Sequence, residues 1–113
     1  MDDKELLKWA AKAFGAEING CRGETPLYAV EVQVSENYFE YTPWNPMDND
    51  GDALRLAVSL DMQITVNRVD GFVEVIAGYN GQHRVRVSLS VGLYAATRYA
   101  ITRAAAVIGR TMK

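Results

Sequence analysis

Residues 62–91 read MQITVNRVDGFVEVIAGYNGQHRVRVSLSV. Apolar and polar residues alternate in three runs, 62–69, 72–79 and 82–91. A period of two describes a half-buried strand. Asp70-Gly71 and Asn80-Gly81 stand between the runs. Both pairs tolerate the positive φ of tight hairpin turns, so the stretch predicts a three-stranded antiparallel meander with two-residue turns. In the last run Val85, Val87, Leu89 and Val91 share one face. Arg84, Arg86, Ser88 and Ser90 share the other.

The segment after the meander, GLYAATRYAITRAAAVIGRTMK, predicts a helix over about 93–109. Leu93, Ala96, Ala100, Ala104, Val107 and Ile108 form its apolar stripe, and its alanines allow it to lie close to the sheet. Gly109 suits the helix end, and Arg110 and Lys113 suit its negative pole. Upstream, DALRLAVSL (52–60) predicts a second helix. LYAVEVQV (27–34) alternates as a strand, and NYFEY (37–41) pairs back onto it. AEINGCRGETP (16–26) is rich in turn residues and is expected to be a connector. DDKELLKWAAKAFG (2–15) predicts the first helix, with Leu6, Leu7, Ala10, Ala13 and Phe14 on one stripe, Trp9 beside it and Gly15 as the stop.

These elements define an α+β class and one domain over residues 1–113. The expected sheet is antiparallel, made of the meander plus one or two N-terminal strands. About three helices pack on one face and the other stays polar. The chain has 113 residues, 49% of them hydrophobic and 23% charged, which excludes a disordered composition. The single cysteine, Cys21, excludes an internal disulfide and suits a reducing cytoplasm. MDDKELLKWA lacks the apolar core of a signal peptide, and no apolar stretch approaches the roughly 20 residues of a membrane span.

Charge is divided along the chain. Residues 1–61 carry 12 acids and 5 bases, a balance of −7; residues 62–113 carry 2 acids and 7 bases, a balance of +5. One reading is attraction between the two parts, within the domain or across a homodimer. The other is a basic face for nucleic acid, formed by Arg84, Arg86, Arg98 and Arg103 with Tyr94 and Tyr99 nearby. The sequence pI of about 5.3 weighs against the second.

WNPMDNDGDALRLAVSL (44–60) places Asp48, Asp50 and Asp52 around Gly51. An EF-hand loop needs oxygen ligands at its positions 1, 3 and 5, Gly at 6 and Glu at 12. With Gly51 at 6, position 1 falls on Pro46 and position 12 on Ala57. With Asp48 at 1, the glycine comes two residues early and position 12 is Ser59. Neither register works. A looser divalent site serving a metal-dependent hydrolase is one alternative. Helix initiation is the simpler reading: Asp50 or Asp52 caps the helix, and Asn45-Pro46 sets the turn into it. Trp44 either anchors that turn in the core or belongs to a partner-binding surface.

His83 is the only histidine, so a histidine metal triad within one chain is excluded. Cys21 and His83 show no spacing that marks a nucleophilic pair. The serines occur in no nucleophile motif, and no glycine-rich phosphate loop is present. No catalytic, cofactor-binding or metal-binding residue is assigned.

Two segments, W-N-P followed by D-A-L-R-L-A-V, and Y-A-A-T-R-x-A-I-x-R-A-A-A-x-I-G over 94–109, resemble a family of small uncharacterised bacteriophage and prophage proteins, loosely NinX-like. They cover about a third of the chain, and KELLKWAAKAFG is similar in kind. The chain departs from that pattern at Val91-Gly92, where an Asp-Pro or Asn-Pro helix start is expected. The resemblance implies a small accessory protein in the bacterial cytoplasm and carries no catalytic residues with it. The expected function is non-catalytic protein binding through Trp44, Asn45, Pro46, Asp48, Asp50 and Asp52, without a cofactor or membrane.

Overall fold

The computed structural model describes residues 1–112, the Tyr79 side chain excepted, so Lys113 lies outside the described residues. Its elements are α1 (Asp3–Phe14), β1 (Glu17–Arg22), β2 (Thr25–Ser35), β3 (Tyr38–Trp44), α2 (Asp50–Ser59), β4 (Gln63–Asn67), β5 (Phe72–Ala77), β6 (His83–Ser88) and α3 (Leu93–Thr111). Short 3-10 turns occupy 79–81 and 89–91. The class is α+β, with three α-helices and antiparallel strands.

The strands form two sheets, β1-β2-β3 and β4-β5-β6. The expected joining of the N-terminal strands to the meander does not occur. The connector expected over 16–26 contains β1, which pairs antiparallel with β2. Asn19-Gly20, a turn signal in isolation, lies inside that strand where the register shifts between Ile18 and Cys21. The actual turn is Gly23-Glu24, with Gly23 in the left-handed region at φ 62°. A β-bulge uses glycine as readily as a turn does, so the dipeptide alone does not distinguish them.

The meander has the expected three strands but longer turns. Asn67 pairs with Phe72, so four residues, 68–71, close the first hairpin. The Asn67 side chain binds it, accepting from the Asp70 amide at 3.0 Å and donating to the Asp70 carboxylate at 3.1 Å. Ala77 pairs with His83, so 78–82 close the second, with Asn80 left-handed at φ 60°. Val73 and Val75 are fully buried on the inner face, beside Val85 and Ala77.

The cover over that face is α3. Ala96, Ala100, Ala104, Ala105 and Ala106 are all inaccessible, as is Thr102, whose hydroxyl donates to the Arg98 carbonyl at 2.8 Å. The helix is buried on more sides than one stripe predicts, because α1 packs on it as well as the sheet. Val107 and Ile108, expected in the stripe, are only partly buried. Gly109 does not end the helix, which runs to Thr111. It lies where α3 meets α1, and a Cβ there would collide with the Trp9 carbonyl. The departure at Val91-Gly92 has a visible consequence: Gly92 holds the N-cap position with no side-chain hydrogen bond. By contrast, the Asp2 carboxylate caps α1 through the Glu5 amide at 2.8 Å, and Gly15 closes it at φ 93°.

Among the described residues no helix is long and apolar enough to cross a membrane.

Candidate functional site

Trp44 ends β3 and is 2% exposed, its ring stacked on Phe14 with centroids 5.2 Å apart. Both its indole N–H and that of Trp9 are buried with no hydrogen-bond partner among the described residues. The ring is a core anchor. Pro46 is buried as well.

The acidic stretch that follows is a stitched turn. The Asn45 amide donates to Asp52 Oδ2 at 3.0 Å, and Asn45 Oδ1 accepts from the Met47 amide at 3.0 Å. Asn45 Nδ2 donates to Asp48 Oδ2 at 3.1 Å. The cap of α2 is Asn49, accepting from the Asp52 amide at 2.9 Å; it is neither Asp50 nor Asp52, and the helix starts two residues earlier than expected. Asp52, almost wholly buried, takes Arg55 Nη2 at 2.7 Å on its other oxygen. Asp50 takes Arg98 Nη1 at 2.6 Å, while Arg98 Nε donates to the Met47 carbonyl at 2.9 Å. The three carboxylates are therefore each engaged by the turn's own neighbours, Asp48 by Asn45, Asp52 by Asn45 and Arg55, and Asp50 by Arg98. No group of three or more His, Cys, Asp or Glu side chains among the described residues is placed to hold a metal ion. A cleft of about 700 Å³ borders the turn, between Met47 and Asp48, the start of α1 at Asp3 and Lys4, and Val87 and Tyr99.

The four arginines do not form one surface. Arg98 is the clamp just described and belongs to the architecture. Arg84 and Arg86 lie on the outer face of the meander, where both meet Glu74 through Nε, at 3.9 and 2.6 Å. The Arg86 guanidinium also covers the Phe72 ring at 4.6 Å. Arg103 is exposed on α3. Cys21 is an exposed free thiol in β1, and His83 opens β6, so they occupy different sheets.

The most unusual surface is the sheet β1-β2-β3. Tyr28, Val30, Val32 and Val34 alternate along one face of β2, with Trp44, Thr42 and Glu40 as register partners of the first three. Burial falls steadily along that row. Tyr28 is 8% exposed and Val30 partly buried; Val32 is 42% and Val34 56% exposed. The face that roots the sheet in the core thus continues past the core. Ile18 on β1 is also exposed, as are Tyr38, Phe39 and Tyr41 on β3. The opposite face carries Glu17, Glu31, Gln33, Phe39 and Tyr41. There the Tyr41 hydroxyl donates to Glu17 Oε2 at 3.4 Å. The Glu17 carboxylate, then that of Glu31, pushes the Tyr41 pKa above its ordinary 10.0, because a phenolate would add a third negative charge.

Helix placement explains the bare surface. The helix α1 packs mainly on α3, and of the 11 residues of β2, about 36 Å long, only the stretch around Tyr28 to Val30 reaches the core. The alternation from Tyr28 to Val34 is therefore visible in sequence, but its exposed end is not: Ile18, Val34 and Phe39 carry no local mark distinguishing them from core residues. The molecule measures 48 × 32 × 28 Å, in keeping with strands that outrun their cover.

Compared with protein-family models, curated proteins and solved structures, the chain matches none.

Proposed function

We propose that this chain is a small non-catalytic protein-binding module, an accessory protein of the phage or prophage kind, and that its contact surface is the sheet β1-β2-β3 rather than the Trp44–Asp52 turn. The observation that supports it is the pair of bare faces on one sheet, Ile18, Val32 and Val34 on one and Phe39 and Tyr41 on the other, all at least 42% exposed. Soluble monomers rarely leave so much apolar surface together in water unless it meets something. The turn, by comparison, offers hydrogen bonds that its own neighbours already occupy.

The test is affinity capture from phage-infected and lysogenic bacterial extracts with three baits: wild type, Val32→Asp/Phe39→Asp on the bare sheet, and Leu54→Asp on the exposed side of α2. Wild type and Leu54→Asp should retain a partner that the sheet variant loses. Hydrogen exchange on the recovered complex should show new protection within 17–44. Identical recovery by all three baits would remove the proposal. Trp44→Ala is unsuited as bait because it damages the core rather than the surface.

A further inference from the structure

The bare sheet is acidic as well as apolar. Residues 16–44 contain Glu17, Glu24, Glu31, Glu36 and Glu40 against Arg22 alone, five acids and one base, a balance of −4. None of these glutamates forms an ion pair among the described residues. The ion pairs among the described residues are Arg55–Asp52, Arg84–Glu74, Arg86–Glu74 and Arg98–Asp50. Only the last joins the acidic part of the chain, 1–61, to the basic part, 62–113. The charge complementarity between the two parts is left almost unrealised within one molecule.

A matching surface exists on the same chain. The outer face of the meander, opposite α3, is open and carries Arg84 and Arg86 on β6. Two guanidiniums share one carboxylate there, Glu74, and both use Nε, so their terminal nitrogens are available to a further carboxylate. Spacing also agrees. Arg84 and Arg86 are two residues apart on one strand, about 7 Å. Glu17 pairs with Ala29, two residues from Glu31, a diagonal neighbour position also about 7 Å away. Each charged pair has apolar company, Phe39 and Tyr41 on one face, Phe72 and Ile76 on the other. Direct contact between two copies of the acidic face would oppose Glu17 and Glu31 to the same two carboxylates, which disfavours that arrangement.

We infer that the occupant of the bare sheet is a second copy of this chain: the acidic face of each protomer's β1-β2-β3 sheet lies on the arginine-bearing outer face of its partner's meander, and a two-fold axis forms both contacts at once. The inference rests on the binding role proposed for this sheet. A three-stranded face of five or six residues per strand measures about 14 × 18 Å. Two reciprocal contacts of that size bury about 1,000 Å², the lower end for a specific association. The dimer is therefore concentration-dependent and weakened by salt.

Sedimentation equilibrium at low and high salt tests it, using wild type, Glu17→Lys/Glu31→Lys, and Arg84→Glu/Arg86→Glu. All four positions are solvent-facing, and circular dichroism should match wild type. Arg84→Gln/Arg86→Gln serves if the glutamates disturb Glu74. Wild type should dimerise at low salt. Each variant alone should associate at least tenfold more weakly. An equimolar mixture of the two charge-reversed chains should dimerise again, because opposite charges then face each other across the contact. A monomeric wild type at low salt, variants that dimerise unchanged, or a mixture that stays monomeric would each overturn the inference. A monomeric chain whose sheet variants still lose an extract partner would leave the proposed function standing. If neither self-association nor capture depends on the sheet, both readings fall.

Discussion

Val32 and Val75 occupy equivalent places. Each sits in the central strand of a three-stranded antiparallel sheet, with an apolar residue two positions away along the same face. Val75 is wholly inaccessible and Val32 is 42% exposed. The difference lies in the covering helix. The meander strands have five or six residues, about 16–20 Å, under a helix of 19 residues, about 28 Å. In the other sheet the core reaches only the Tyr28 end of the central strand, and no helix among the described residues packs along it as α3 does along β5. Whether an alternating strand is buried depends on what lies over it.

The largest loss of stability is expected at the root of the bare sheet. Trp44→Ala removes the ring that ties β3 to Phe14 and α1, and should cost about 3–5 kcal/mol in urea unfolding. Loss of less than about 1 kcal/mol would mean that the sheet is not anchored there.

Next is the close approach that lets α1 and α3 form the cover. Gly109→Ala drives a methyl into the Trp9 backbone and should cost about 1–3 kcal/mol as the helices separate. A neutral result in thermal unfolding would show that the helix pair gives way easily.

One substitution made in both sheets separates the covered strand from the bare one. Val75→Ala should destabilise by about 2 kcal/mol. Val32→Ala should stay within about 0.5 kcal/mol in dilute protein. Equal costs would show that the bare sheet is covered in solution.

The smallest effect is electrostatic. Tyr41 should ionise above its ordinary value because two carboxylates face it. Glu17→Gln removes the larger of these influences and should move the Tyr41 midpoint downward, read as the ultraviolet difference from Tyr41→Phe in each background. A midpoint that rises or stays fixed would contradict the geometry of this face.

Much of the architecture was legible because its signals are local. The meander, α1 with its Gly15 stop, and the pairing of NYFEY back onto 27–34 follow from periodicity and turn chemistry. β1 was not legible, since EINGCR lacks alternation and its glycine reads as a turn. The longer hairpin loops escaped for a related reason: Asp-Gly and Asn-Gly mark a turn, but side-chain bonds such as Asn67 to Asp70 decide its length. At the turn 44–52 the sequence showed three carboxylates and a tryptophan. It did not show that Asn49 caps the helix or that Arg98, 48 residues from Asp50, would reach back to it.

Periodicity and composition alone sufficed for the three helices, the strands β2 to β6 with their antiparallel pairings within hairpins, and the division of charge, because these depend on neighbours a few residues apart. Tertiary structure alone decided that the strands form two sheets, that Gly109 is a contact point rather than a helix end, and that Trp44 is interior. It also decided that the apolar face of β2 runs out into solvent. Each of these depends on which distant segment lies over a given residue, and a run of alternating side chains carries no record of its cover.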